Sequence, residues 1–312
     1  MRTVPIAFAF DNNFIMPACV CISSLLMNAN EDTYYDIFIL HSQKEKLDEE
    51  RLNSLAHYYP NCSIQYRTID STFDNAFEVR GITTSTYYRL LIPEIITEYD
   101  KIIYSDVDVI FRSDLSDTYF NTDMTNSYVA GVNALVQFIP DLKKYYSNLG
   151  NVNIGGIIYA GNIIFNSANI RKDNLVEWFK ELAKNNYKFQ DLDVLNIACQ
   201  GKITYLEPGF CLTTYVAELS IYDRNKLQLI WNSDEINKAL KTGIVHYNGQ
   251  KPWKGYCVNF DIWWEYYRKC PFFDEKYYFD FFYSRLNELD QLSLWKRIKI
   301  LVRYFVYGKR MI

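Results

Sequence analysis

The chain has 312 residues, 49% hydrophobic and 22% charged, a globular balance that excludes a wholly disordered or collagen-like polymer. Its 33 Lys plus Arg against 37 Asp plus Glu give a formal charge of -4, without the basic excess by which proteins grip nucleic-acid backbone. The 27 Tyr, 20 Phe and 6 Trp can stack on flat or sugar-like ligands, although most such rings fill a core.

Residues 4–10 form a β-prone run that stops at Asp11-Asn12-Asn13. Residues 17–29 have helical spacing, with Ile22, Leu25, Leu26 and Ala29 on one face. A second strand at 35–40, a charged helix at 45–58 and a third strand at 63–69 complete a βαβαβ opening. That order predicts an α/β domain with a mainly parallel sheet covered by helices on both faces. Residues 86–96 read as a helix despite Pro93, and 101–111 as the clearest strand, interrupted by two carboxylates. Strands at 128–132 and 203–206, a Gly-punctuated apolar segment at 155–165 and helices at 174–184 and 193–199 follow. No repeat, linker or low-complexity tract intervenes, so one domain is expected over 1–255. Residues 256–312 form an aromatic, then basic, helical extension.

Seven cysteines, an odd number without metal-type pairing, predict reduced thiols in a cytoplasmic protein. No secretory signal is recognisable ahead of them, and no apolar run reaches the roughly 20 residues that cross a bilayer. A soluble or peripheral protein is expected.

Three constellations carry chemistry. Asp106 and Asp108 stand two apart in a strand-like run, so both point to one face. Two such carboxylates repel unless a cation or base lies between them, and their oxygens suit Mg²⁺ or Mn²⁺ bound with a diphosphate. The same pair also fits a strand end with two solvated acids. His246 follows the strand-like Gly243-Ile244-Val245, and an imidazole beside two carboxylates favours Mn²⁺ over Mg²⁺. Gly249 and Lys251 fit a phosphate-binding turn, although a lone His is often structural and Lys251-Pro252-Trp253 a stiff turn. Asp11, Asn13 and Phe14 follow the first strand, where open α/β sheets bind ligands, and could read a base; an Asn-rich turn fits equally. Asp191-Leu192-Asp193 is a further acid pair that also reads as a helix N-terminus.

In this order the pieces resemble retaining glycosyltransferase family 8, which includes bacterial lipooligosaccharide galactosyl- and glucosyltransferases and the glycogenins. The strings that carry the resemblance are Ile6 to Asn13, Thr86-Tyr87-Tyr88-Arg89-Leu90, Lys101 to Asp108, Tyr159-Ala160-Gly161, Gln190 to Asn196, and His246 to Trp253. The resemblance implies a GT-A fold, a UDP-hexose donor and Mn²⁺. Asp106, Asp108 and His246 match its metal ligands, with Asp106 also near the ribose. Asp11 and Asn13 match its uridine contacts, and Phe14 stands where the family often stacks Tyr on uracil. Arg89 and Asp191 match residues that hold the donor sugar, and Gly249 and Lys251 match its diphosphate contacts.

The chain departs from that family at Tyr159 and Leu192, where Asn and Gln are usual, and the Gly249-to-Lys251 spacing is one residue short. The nucleotide end of the site is therefore expected intact and the sugar end altered. Leu192 cannot form a glycosyl intermediate, which leaves Asp191 or Asp193 as nearby nucleophiles and favours front-face attack, governed by positioning.

Between 293 and 312 lie six basic residues (Lys296, Arg297, Lys299, Arg303, Lys309, Arg310) and no acid. Leu294, Trp295, Ile298, Leu301, Val302 and Phe305 fall on one helical side, an interfacial membrane pattern. A helix docked on the domain is the alternative. The expectation is a peripheral enzyme at the inner face of the cell membrane. It would move glucose or galactose from a UDP-sugar to a lipopolysaccharide-type or lipid-linked glycan. The alternatives are a catalytically weak UDP-sugar-binding homologue and, with less support, a metal phosphohydrolase.

Overall fold

The first apolar run becomes β1 (Arg2–Ala9), a central strand paired on both edges and buried through its middle residues. The computed structural model describes residues 1–44, 46–73, 76, 84–150, 152–290 and 292–307. β1 pairs in parallel with β2 (Thr33–Ser42) and β4 (Lys101–Ser105), and β2 with β3 (Cys62–Ile69). Ile6 faces Ile37 on one side and Ile103 on the other, the doubly buried apolar ladder typical of parallel strands. β6 (Val129–Asn133), β7 (Ile158–Asn166) and β8 (Ile203–Tyr205) complete a seven-stranded sheet of order β3-β2-β1-β4-β7-β6-β8. β7 alone among these runs antiparallel to its neighbours, and the sheet is mainly parallel. Helix Ile15–Met27 crosses between β1 and β2 and is buried over most of its length. A large apolar core joins Phe38, Leu90, Ile102, Phe165 and Val194.

Two expected elements differ. The expected strand at 101–111 is split: β4 ends at Ser105, and β5 (Val109–Ile110) belongs to a second sheet of order β5-β10-β9. The other members are β9 (Leu212–Thr213) and β10 (Val245–His246). The expected helix at 86–96 is a 3-10 stretch, Thr84–Leu91, followed by one α-turn, Ile92–Ile95. Pro93 lies in that α-turn's first positions, where its missing N–H costs nothing.

The chain divides into two compact units, Met1–Pro271 and Phe272–Ile312. The first unit extends past residue 255 because helix Phe260–Lys269 buries Trp263, Trp264 and Tyr267. The second contains helices Glu275–Asp290 and Leu294–Tyr307. Leu294, Trp295, Ile298, Leu301, Val302 and Phe305 are all exposed in it. Lys309, Arg310 and the side chain of Arg303 lie outside the described residues. No described helix is long and apolar enough to cross a membrane. All seven cysteines are free thiols, and only Cys257 is not buried.

Candidate active site

Asp106-Val107-Asp108 is the link by which the chain leaves the large sheet and enters the small one. Two backbone hydrogen bonds pin it. Asp106 N–H donates to Gly161 O of β7 at 2.7 Å, and Tyr247 N–H donates to Asp108 O at 2.9 Å. His246 pairs with Val109 across β10 and β5, which brings its ring to the link. A ligand atom from each of Asp106, Asp108 and His246 lies within 4.8 Å of the others. His246 Nε2 stands 3.3 Å from Asp108 Oδ1 and 3.7 Å from Asp106 Oδ2. Its other ring nitrogen, Nδ1, faces Cys211 Sγ at 3.4 Å.

Two observations test whether these residues fit a cation. Asp108 Oδ1 is buried and makes no well-aligned hydrogen bond; its cationic neighbour is His246 Nε2 at 3.3 Å, so once that imidazole is neutral the oxygen is open to an ion. A Cβ on Gly161 would lie 2.2 Å from His246 Cε1 and 2.7 Å from Asp106 Oδ2, so glycine keeps this space open. Two carboxylates and an imidazole form an oxygen-nitrogen set that suits Mn²⁺. The residues fit.

Arg89 ties this centre to the rest of the cleft. Only 5% exposed, it donates from Nη2 to Asp106 Oδ1 at 2.9 Å and from Nη1 to Ala160 O at 2.7 Å. Its Nε lies 3.1 Å from Asp191 Oδ2, and Thr86 Oγ1 donates to Asp191 Oδ1 at 2.6 Å. Tyr104 O–H donates to Asp106 Oδ1 at 2.8 Å, and its ring lies 4.3 Å from the guanidinium carbon. Lys251 donates to Asp108 Oδ2 and, at 2.6 Å, to Tyr247 O.

The charges are strongly coupled. Burial opposes ionisation of Asp108, but Lys251 and His246 outweigh it and hold the carboxyl well below its usual range. Burial likewise opposes charge on His246, and Asp108 overcomes it, raising the imidazole to about 10. A metal ligand must shed that proton, so cation binding here releases one. Asp191 is pushed up to about 6 by burial, against the pull of Arg89 and Thr86.

These groups open on a cleft of about 750 Å³ lined by Phe14, Arg89, Asp106, Asp108, Asp191, His246, Gly249 and Lys251 among others. Of the other residues anticipated for the site, Asp11, Asn13 and Asp193 are not part of the lining. Asp11 accepts from Asn13 N–H at 2.9 Å and caps the 3-10 turn Asn12–Phe14, whose last ring meets Trp253 edge-on at 6.4 Å. Asp193 is fully buried. It accepts from the Tyr145 and Tyr146 hydroxyls, each at 2.6 Å, and from Phe189 N–H at 2.9 Å. It is therefore a fastening between helices Pro140–Asn148 and Asp191–Ala198, and the sequence expectation that it stands beside the reacting sugar is corrected.

Sequence reasoning assigns no role to Thr86, Tyr104 or Cys211. Tyr104 stands two residues before Asp106, a spacing that signals a shared strand face. Nothing in the sequence joins Cys211 to His246, 35 residues away.

This fold, with its cleft beyond the ends of β1 and β4, is that of a GT-A glycosyltransferase. The sequence profile of glycosyl transferase family 8 matches residues 5–257, and the chain belongs to that family. A putative glycosyltransferase of Haemophilus influenzae is 27% identical over 225 residues, which is 68% of this chain and 64% of that protein. The lipopolysaccharide 1,2-glucosyltransferase of Escherichia coli is 24% identical over 262 residues, covering 81% of this chain and 73% of that enzyme. The structure of the galactosyltransferase LgtC with donor and acceptor sugar analogs superposes with a TM-score of 0.70 at 22% identity, over 88% of this chain and 99% of LgtC. Enzymes of this class use nucleotide-sugar donors with a divalent metal.

Proposed function

We propose that this protein transfers glucose or galactose from a UDP-sugar to a cell-surface or lipopolysaccharide-type glycan, with retention at the anomeric carbon and dependence on Mn²⁺, for which Mg²⁺ can substitute. The observation that carries this reading is the convergence of Asp106, Asp108 and His246 on one point, with a ligand atom of each within 4.8 Å of the others. Asp106, Asp108 and His246 would hold the cation, which when bound would supply Lewis-acid neutralisation of a departing diphosphate.

The remaining work falls to the chain. Lys251 gives up Asp108 and turns its ammonium to the diphosphate, next to the backbone of Gly249. Phe14 offers its ring to the uracil, with Asp11 and Asn13 behind it at the end of β1. Arg89, fixed by Ala160 and Asp106, holds Asp191 ionised toward the sugar above the pH at which that carboxyl titrates. With Asp193 spent on two tyrosines, Asp191 is the acid of the Asp191–Asp193 pair that lines the cleft. Leu192 cannot act as a nucleophile, and the front-face route needs only positioning and charge stabilisation.

The LgtC complex, described as holding donor and acceptor sugar analogs, and the E. coli glucosyltransferase support a hexose donor and a glycan acceptor. The second unit is read as a peripheral anchor on an anionic membrane surface at the cytoplasmic face. The exposed Trp295 and Phe305 of helix Leu294–Tyr307 and the basic Lys296, Arg297 and Lys299 support this.

A donor panel tests the reading. UDP release and sugar transfer from UDP-glucose or UDP-galactose should require Mn²⁺ and cease on chelation. Tight Mn²⁺-UDP binding without turnover would instead support a weak UDP-sugar-binding homologue, the reading that Leu192 and Tyr159 in the lining favour. Absence of Mn²⁺-dependent UDP binding would sink both.

A further inference from the structure

The cleft is chemically divided. One half carries Arg89, Asp106, Asp108, Asp191, His246 and Lys251. The other is walled by Val136, Ile139, Leu142, Ile157, Phe189 and Leu192. Most of these wall residues belong to a separate apolar cluster that also contains Tyr146 and Tyr159. Ile139, Leu142, Phe189 and Leu192 are half-buried, so each keeps surface turned to the cleft. Two tyrosine hydroxyls beside this wall already have protein partners: Tyr146 donates to Asp193 at 2.6 Å, and Tyr159 accepts from Thr213 at 3.2 Å. The Phe189 ring is stacked on Tyr146, at 6.3 Å and 13°, with Tyr145 at its edge, so one of its faces is already covered.

Leu192 joins the halves. It is the residue after Asp191, and Arg89 pairs with both Asp191 and Asp106. A saccharide spanning the two halves must therefore lodge a substituent against branched aliphatic side chains. A hydroxyl placed against these aliphatic side chains leaves water and finds no partner among them, whereas a methyl group gains by leaving water. Sugars that present their C–H faces are better served by flat, open rings than by Val, Ile and Leu.

We infer that the Leu192 half of the cleft is a subsite for a saccharide bearing a methyl-terminated substituent, an acetamido or 6-deoxy group, in preference to a fully hydroxylated hexose. The inference rests on the transferase reading above. The methyl group can belong to the donor sugar or to the acceptor, and the two arms of the test separate these sources.

Calorimetry on the full chain with Mn²⁺ provides the test. In the donor arm, UDP-glucose is compared with UDP-N-acetylglucosamine. In the acceptor arm, protein saturated with UDP is titrated with methyl glycosides in matched pairs, glucose against N-acetylglucosamine and galactose against its 6-deoxy counterpart. In at least one arm the methyl-bearing member should bind about tenfold tighter, the scale of one methyl group in an apolar pocket. Leu192→Gln should reduce that advantage to about twofold or less, while UDP itself binds as before, since position 192 is away from the nucleotide. Leu142→Ser, on a different element of the wall, should do the same and covers the case in which the first variant does not fold. Equal or tighter binding of the hydroxylated member in both arms overturns the inference, as does an advantage that persists in both variants. Loss of Mn²⁺-UDP binding in the parent protein overturns the transferase reading together with it, whereas intact UDP binding without a preference overturns the subsite alone.

Discussion

His246 Nε2 stands 3.3 Å from Asp108 Oδ1, the buried oxygen that makes no well-aligned hydrogen bond, while Lys251 holds the other oxygen of the same carboxylate. Asp108 is therefore the point at which two cationic side chains meet, one on each carboxylate oxygen. Asp108→Ala should abolish Mn²⁺-dependent UDP binding. It should also cost about 3 kcal/mol of stability in metal-free protein, because the buried His246 and the half-buried Lys251 lose their partner. Calorimetry and denaturant melts measure the two effects separately. Unchanged Mn²⁺-UDP affinity in a folded variant would remove the metal assignment.

Gly161→Ala offers a test that touches no ligand atom chemically. The new methyl group would meet His246 Cε1 at 2.2 Å and Asp106 Oδ2 at 2.7 Å, so one of the two ligands must move. Overpacking of this kind costs about 1–3 kcal/mol. Manganese affinity, followed by paramagnetic relaxation of water protons, should fall at least about tenfold. A variant that keeps full affinity would show that the ligands gather elsewhere.

Asp191 makes stability depend on pH. Its folded value is raised to about 6, so the unfolded chain loses its proton at lower pH than the folded chain does. The contribution is fully present below the unfolded value of about 3.9 and is lost as pH rises through about 6. Relative to Asp191→Asn, the parent protein should lose stability between about pH 4 and pH 6, by an amount on the order of 2–3 kcal/mol. Urea melts at several pH values would reveal this slope. A difference that is flat across the window would mean that Arg89 and Thr86 keep the carboxylate ionised throughout.

Cutting the chain after Asp290 removes helix Leu294–Tyr307 and should release the protein from anionic vesicles while leaving Mn²⁺-UDP binding intact, because the cleft lining ends at Lys254. Each basic side chain at such a surface contributes on the order of 1 kcal/mol, screened by salt. Vesicle co-sedimentation at low and high salt reads this directly. If the full-length protein ignores anionic vesicles at low salt, the anchor reading fails.

The first parallel strands are legible from β-prone apolar runs at β1 and β2 and from alternation at β3, and the motif order points to the family before any geometry. The split between β4 and β5 is not. Residues 101–111 read as one strand despite the two carboxylates, and packing against β7 on one side and β10 on the other decides where the ribbon changes sheets. Asp191 and Asp193 illustrate a second limit. Their spacing equals that of Asp106 and Asp108, but residues two apart on a helix diverge by about 200°, so one acid faces the cleft and the other the interior. The pairing of Cys211 with His246 arises from β9 lying beside β10, a neighbourhood that neither local sequence encodes.

The three-residue passage from Asp106 to Asp108 has a consequence for how this protein can change over time. Its first residue is bonded to β7 and its last to the segment after β10, so each carboxylate takes its position from a different sheet. Any substitution that slides one sheet against the other, however remote, alters the gap between the two acids. Tolerance to mutation should therefore be lowest at the seam between the sheets, and variants that rescue a damaged centre should arise in the packing there as readily as among the ligands themselves.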